Sequence, residues 1–581
     1  MKHTPTLQEL NKFFKTANSK DAKKGHVKLA ILSDCDVQQF AKTLTGLFFK
    51  FDFFLDIYQA PIGNIDYQIL DDNSELYEFD PDIVLLFYSS QNLREYYNKK
   101  FDCEDIYKIY RDRLSINLES IKKKSKAIIL QSNFAPTVER TFGSFDSKVE
   151  NALSNIILEL NHYIYNIVTG DETTSLFDIQ FISSSVGLNN WWEERFWFHA
   201  KSPCNLDYLP NMAQEILDIF LSTKGRGIKC VISDLDNTMW GGIVGDDGLE
   251  GIKIGGMGVG EAFSHYQYFL RRLKDRGIIL AVCSKNDEEV ALNVFKNHPN
   301  MILKVDDITV FVANWENKPD NIKYIKETLN IGYDSILFLD DNVFERKLVK
   351  DLLPEIHVPD LPEDPSDYIK YLCSLNYFET SSNTKEDKER SKMYKDEVNR
   401  KQKITKYKDI GSFLKSMNMK GRVKPFDKLN LERIVQLIGR SNQFNLTTIR
   451  YNKEQCISFM NKNSEFESIY IELEDNIGSY GLISVIILKQ IKDELHIDLW
   501  LMSCRVIKRG VEDMAMNHVF DIAKKRNCNK VIGKYIPTVK NKLVEKFYID
   551  FGFIQDSNDP QSWSLALDQY KKKNHYIEIS A

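Results

Sequence analysis

The sequence predicts an α/β protein of several domains. Two series of short apolar runs, each run followed by a helix-like segment, carry that reading, and a third region mixes strands and helices in another order. At 581 residues the chain exceeds what one hydrophobic core serves, so three or four compact units are expected.

The first series runs "KLAILSDCD" from Lys28, "PDIVLLFYSS" from Pro81 and "KKKSKAIILQSNF" from Lys122. Runs rich in Ile, Leu and Val with helical spacers predict a parallel-sheet domain over residues 1–222. The second series is "IKCVISDLD", "GIILAVCSKND", "MILKVDDI" and "DSILFLDDN", with the periodic "EAFSHYQYFLRRLKDRG" between the first two. It predicts a second domain over residues 223–375. Past Pro362 the composition changes, and "TSSNTKEDKERSKMYKDEVNRKQKITKYKD" alternates charge signs densely enough to read as a solvated helical linker, residues 376–420. Residues 421–581 combine helix-like "LERIVQLIGRSN" and "VEDMAMNHVFDIAKKRN" with strand-like "GLISVIILKQ", "ELHIDLWLMS" and "KVIGKYI", which suggests an α+β unit.

Composition excludes several classes. The net charge of -6 gives no field-level reason to expect nucleic acid as a partner. The aromatic stretch "TGLFFKFDFFLDIY" is broken by Lys50, Asp52 and Asp56, so it reads as core and no membrane span is expected. The N-terminal segment has no apolar centre, and nine scattered cysteines without a Cys-x-x-Cys pair read as reduced thiols, so the expected location is cytoplasmic.

The chemistry concentrates at strand ends. In "VISDLDNTMWGG" an apolar run ends in Asp234 and Asp236, which share a face two residues apart. Open parallel sheets bind ligands at that edge, and a hard cation there cancels the repulsion between carboxylates. A second strand end supplies Asp340 and Asp341. Between them lie the hydroxyl of Ser284, just after "IILAVC", and the amine of Lys318 in "NWENKP". Three carboxylates with waters and a phosphate oxygen suit octahedral Mg²⁺.

These four motifs, in this order, resemble the haloacid dehalogenase (HAD) superfamily: Asp-x-Asp-x-Thr at Asp234, Asp236 and Thr238, then Ser284, Lys318, and the pair Asp340 and Asp341. The resemblance implies that Asp234 attacks phosphorus to form an aspartyl-phosphate. It makes Asp236 the general acid and base, and places Mg²⁺ on Asp234, the Asp236 carbonyl, Asp340 and Asp341. A receiver domain of response regulators uses similar groups, but its acidic pair comes early and its phosphorylated aspartate stands alone.

The contexts "DLDNTMWGGIVGDDGLEGIKIG", "AVCSKNDEEV", "FLDDNVFERKLVK" and "HVPDLPEDPSDY" resemble the FkbH-like proteins, HAD phosphatase subfamily IIIC. About 45 residues separate Asp236 from Ser284, which leaves little room for a large cap domain. That resemblance implies a phosphorylated small-molecule substrate and, in polyketide or surface-glycan biosynthesis, transfer of an acyl group such as glyceryl to the thiol of an acyl carrier protein. Cys504 in "LMSCRVIKRG" is then the first thiol to test and Cys283 the second, each against the commoner reading of a buried apolar cysteine.

The fold class that results is an α/β, HAD-type Rossmann-like parallel core, preceded by an α/β domain similar to SGNH hydrolases and followed by an α+β domain similar to GNAT acyltransferases. The GNAT resemblance places a pyrophosphate loop at Arg505, Lys508, Arg509 and Gly510, with lysine at the first glycine position, and functional side chains at Asn541 and Tyr548. It implies coenzyme A, the phosphopantetheine arm of a carrier, or no ligand. The SGNH resemblance is degenerate: "LSDCD" replaces Gly-Asp-Ser, and neither Ser33 nor His199 sits in a clear catalytic motif. Two further functions remain open on sequence: a sugar- or acyl-phosphate phosphatase fused to an acetyl-CoA-dependent N- or O-acetyltransferase, and a non-catalytic scaffold with a vestigial metal site.

Overall fold

The computed structural model describes residues 5–580 apart from 19, 101–104, 172, 226, 382–384, 405–406, 408, 442, 461–464 and 539–540. It divides into two compact units, Lys2–Leu221 and Ser222–Ala581.

The first unit is built on five strands, β1 (Gly25–Ser33), β2 (Phe53–Gln59), β3 (Ile83–Phe87), β4 (Ile128–Ser132) and β5 (Thr174–Phe177). They lie in the order β2-β1-β3-β4-β5, and every pair is parallel. Both faces are covered, as parallel sheets require. Alternation in β1 shows how: Val27, Leu29 and Ile31 enter one core, while Ala30 and Leu32 enter the other.

The second unit holds two sheets. The smaller comprises β6 (Cys230–Ser233), β7 (Ile279–Ser284), β8 (Val310–Ala313) and β9 (Ile336–Leu339), again all parallel, in the order β8-β7-β6-β9. Val231 faces one apolar cluster and Cys230 and Ile232 the other. The third strand differs from the sequence expectation. "MILKVDDI" does not form it: Asp307 turns back to accept the Lys304 amide at 2.8 Å and closes a 3₁₀ turn, Val305–Asp307. The strand is the next apolar run, Val310–Ala313.

A helix follows each strand end, and short polar side chains cap the starts. Asp287 accepts the amides of Glu289 and Val290, Asn317 accepts that of Asp320, and Asn342 accepts those of Phe344 and Glu345. Capped helices entering directly from strands gather their first turns at one edge of the sheet.

The larger sheet comprises β10 (Met419–Pro425), β11 (Phe444–Asn445), β12 (Phe466–Glu474), β13 (Ser479–Ile491), β14 (Glu494–Met502), β15 (Lys530–Lys534), β16 (Ile554–Gln555), β17 (Ser562–Ala566) and β18 (Ile577–Ile579). Its order is β16-β17-β15-β14-β13-β12-β10-β18, with β11 paired to β14. Most pairs are antiparallel, but β14 and β15 run parallel, as do β10 and β18.

The charged segment before this sheet is a helix, Lys385–Ile404, and one face of it is buried. Tyr394 enters the core of the smaller sheet. Arg400, 1% exposed, donates two hydrogen bonds to Asp475 at 2.7 and 2.9 Å and lies 4.0 Å from the Tyr480 ring centre. The helix is therefore a wedge between the two sheets rather than a solvated linker. Among the described residues no helix is long and apolar enough to cross a membrane.

Candidate active site

Four strand ends converge at the carboxyl edge of the smaller sheet. Asp234 follows β6, Ser284 ends β7, Lys318 begins the helix after β8, and Asp340 and Asp341 follow β9. The Asp234 amide donates to the Leu339 carbonyl at 2.9 Å, which holds the two acidic strand ends side by side.

Lys318 is the keystone of the charge arrangement. Its Nζ lies 2.8 Å from Asp234 Oδ2 and 2.5 Å from Asp340 Oδ2, and the residue is 2% exposed. An ammonium at a helix N-terminus opposes the helix dipole, and burial costs more still, so both carboxylates are needed to keep it charged. Burial pushes the Lys318 pKa down, yet the charges of Asp234 and Asp340 outweigh it and raise it overall.

One carboxylate of Asp234, Asp340 and Asp341 each offers an oxygen within 4.8 Å of the others. Asp234 Oδ1 is buried without a hydrogen-bond partner. Burial pushes the Asp340 carboxyl up to about 6, helped by the Asp234 charge, and Asp341 is raised by the same two causes in the same order. At neutral pH three carboxylates face one ammonium. The two residual negative charges and the orphaned oxygen fit a divalent cation, and carboxylate oxygens are the donors that Mg²⁺ prefers.

The remaining groups position this set. Thr238 is fully buried; its hydroxyl donates to Asp341 Oδ1 and accepts the Asp341 amide, both at 3.1 Å. Asp236 points elsewhere. Its Oδ1 accepts Trp240 Nε1 at 2.8 Å and the Val244 amide at 3.0 Å, and its Oδ2 accepts Asn286 Nδ2 at 2.9 Å. Burial raises its pKa, the direction that favours a held proton. Ser284 is buried at 2% exposure, at the end of β7.

Sequence reasoning did not single out Asn286 or Arg346. Arg346 donates to the carbonyls of Asp340 and Asp341 at 2.7 and 2.6 Å, which fixes the acidic turn. Both lie in quoted contexts, "SKND" and "DDNVFER", but their partners are set by the turn geometry and leave no spacing signal.

The other candidates are placed differently. Cys283 is buried beside the site with its thiol raised by burial, and the side chain of Cys504 lies outside the described residues. Arg505 faces Met393 and the Tyr480 carbonyl, and Arg509 pairs with Glu397 at 2.5 Å, so both are engaged with the wedge helix. Lys508 is exposed at φ 64°, and Gly510 adopts φ 85°. Asn541 and Tyr548 are buried, 0% and 2% exposed. In the first unit Ser33 is buried with its hydroxyl 3.1 Å from the Cys35 thiol.

A parallel sheet carrying paired aspartates, a hydroxyl, a lysine and an acidic pair on successive strand ends defines the HAD class of Rossmann-like folds. Residues 28–221 match the family model "FkbH, N-terminal domain". The N-terminal part of the Bacteroides fragilis protein BF1531, described as containing a phosphatase domain complexed with Mg, is 37% identical, with TM-score 0.62, 65% of this chain covered and 100% of that one. The chain belongs to the family of that protein. Ribosomal-protein-S18-alanine N-acetyltransferase from Escherichia coli matches at 11% identity and TM-score 0.20, over 27% of this chain and 99% of its own. Spermidine N-acetyltransferase from Vibrio cholerae, in complex with CoA and spermine, matches at 13% and 0.21, over 26% and 98%. No curated protein sequence matches the chain.

Proposed function

We propose that the chain is a Mg²⁺-dependent HAD-type phosphatase or phosphotransferase acting on a phosphorylated small molecule. The observation that carries this reading is the buried Lys318 ammonium shared by Asp234 and Asp340, beside an Asp234 oxygen with no partner. The Mg-bound relative BF1531 supports the choice of metal.

Asp234, Asp340 and Asp341 would hold Mg²⁺, which when bound neutralises charge on the phosphoryl oxygens. An Asp234 carboxylate oxygen attacks phosphorus and the bond to the leaving oxygen breaks. Asp236 gives that oxygen its proton, for which its raised pKa suits it. Asp236 then takes a proton from water, whose oxygen attacks the aspartyl-phosphate and frees Asp234 with release of phosphate. Lys318 and Ser284 hold phosphoryl oxygens in both steps.

Only residues 237–258 separate Asp236 from the core helix Val259–Asp275, which agrees with an uncapped site. Trp315, three residues before Lys318, and Phe344, three after Asp341, are 76% and 68% exposed, and they offer apolar surface to the non-phosphate part of a substrate.

The finer reading adds acyl transfer to a carrier-protein thiol. Cys283 does not favour it, because a buried thiol with a raised pKa is a poor nucleophile. Phosphate release is therefore the activity to test first. Incubation with acetyl phosphate or p-nitrophenyl phosphate should release phosphate with Mg²⁺ and stop with EDTA. Release that ignores chelation would remove the metal from the proposal, and no release from any phosphate ester or anhydride would leave the scaffold reading.

A further inference from the structure

The loop that the GNAT resemblance assigns to a pyrophosphate already holds an anion from its own chain. The Lys508 amide donates to Glu512 Oε1 at 2.7 Å. Glu512 lies in the first turn of the helix Val511–Lys525, directly after Gly510. Converging amides at a helix N-terminus form a concavity suited to one phosphate or carboxylate. Here the carboxylate of residue 512 fills it. The two arginines that would add charge, Arg505 and Arg509, are turned to the wedge helix.

The second place a coenzyme A molecule needs is a strand edge. Its pantetheine arm is an extended chain with two amides, and such a chain binds by adding to an open edge. The loop continues directly from β14, so the edge in question is the far end of that strand. One side of β14 is paired with β13 along its length, from Ile491↔Glu494 to Ser484↔Met502. On its other side β15 pairs only as far as Ile497↔Gly533. Beyond that point the edge is occupied by the chain itself. Phe444 and Asn445 pair with Met502 and Leu501, the Leu446 amide donates to the Trp500 carbonyl at 3.1 Å, and the Thr447 hydroxyl donates to the Asp498 carbonyl at 2.9 Å. The far edge of this insert is closed as well, since the Ile536 amide donates to the Leu446 carbonyl at 2.9 Å.

Asn541 locks the insert in place. Its Nδ2 donates to the carbonyls of Asn445 and Ile536, both at 2.9 Å, and its Oδ1 accepts the Thr538 amide at 2.7 Å. Tyr548 is packed against Gly533, where a Cβ would lie 2.2 Å from its ring. Asn541 thus serves the core, and the Tyr548 ring packs there while its buried hydroxyl has no hydrogen-bond partner.

We infer that residues 421–581 do not take coenzyme A or a phosphopantetheine arm, because Glu512 fills the anion concavity and residues 444–447 fill the strand edge. The domain keeps the acyltransferase-like sheet as a structural body bound to the wedge helix. This inference is independent of the phosphoryl site.

Calorimetric titration of coenzyme A and acetyl-CoA into the full chain tests it, with hydrogen exchange followed at Leu446 and Ile536. The expected result is no saturable binding up to millimolar ligand and unchanged slow exchange at both amides. Saturable micromolar binding, with or without faster exchange, would overturn the inference. Asn541→Ala supplies a second reading: exchange at Leu446 should rise at least about tenfold while Mg²⁺-dependent phosphate release persists. Unchanged exchange in that variant would show that the insert is not held as described, and would also count against the inference.

Discussion

Replacing Lys318 by Met probes the charge balance of the site more sharply than any other change. The side chains have similar length, so the main loss is the ammonium between Asp234 Oδ2 and Asp340 Oδ2. Like charges no more than 4.8 Å apart at an effective dielectric near 20 repel by at least roughly 3.5 kcal/mol, and removing one member of a buried ionic set costs about 3–5 kcal/mol. At about 2–4 °C per kcal/mol, the midpoint of the second unit should fall by roughly 6–20 °C in metal-free buffer. Thermal unfolding followed by calorimetry measures this. Added Mg²⁺ should raise the midpoint of Lys318→Met more than that of the parent, because the cation replaces the missing charge. A variant as stable as the parent without metal would refute the bridging role, and loss of stability without extra rescue by Mg²⁺ would refute the electrostatic cause.

Other variants report on single groups. Asp234→Asn should abolish phosphate release and shrink the Mg²⁺-induced rise in Tm, and should lower the metal-free midpoint, since the buried Lys318 ammonium loses one of its two carboxylates. For the parent, saturating Mg²⁺ at about a hundred times its Kd should add about 2.7 kcal/mol, which chelation reverses in a thermal scan. Arg400→Ala should cost about 3–5 kcal/mol by leaving Asp475 buried and unpaired, and the Arg400→Ala, Asp475→Ala double variant should cost less than the sum of the singles in denaturant titrations. Trp315→Ala and Phe344→Ala should raise KM for the physiological phosphate with little change in kcat, the mark of lost uniform binding.

Much of the site geometry was legible because most of the acidic and hydroxyl motif residues sit where a strand run stops. "VISDLD", "AVCS" and "FLDD" show both the buried strand and the polar residue that ends it, and parallel topology then gathers those ends without any long-range signal. The third strand misled because "MILKVDDI" is the longer run, with five apolar residues against four in "VFVA", whereas Asp307 prefers to cap its own turn. The charged helix looked solvated because its buried face is ionic: Glu397 and Arg400 find partners in Arg509 and Asp475 that no local pattern announces. The insert at Phe444–Asn445 was least legible of all. Two residues carry no period, and their partners on β14 lie more than fifty positions away.

On the proposed mechanism Asp234 carries a phosphoryl group during turnover. Intact-protein mass spectrometry of Asp236→Asn after incubation with acetyl phosphate and Mg²⁺ tests it directly, since loss of the base should slow hydrolysis by about 10²–10⁴-fold and let the intermediate build up. One added phosphoryl group is expected, mapped to Asp234, labile to hydroxylamine and absent with EDTA or in Asp234→Asn, Asp236→Asn. Phosphate release without any adduct, or an adduct that persists when Asp234 is replaced, would contradict it.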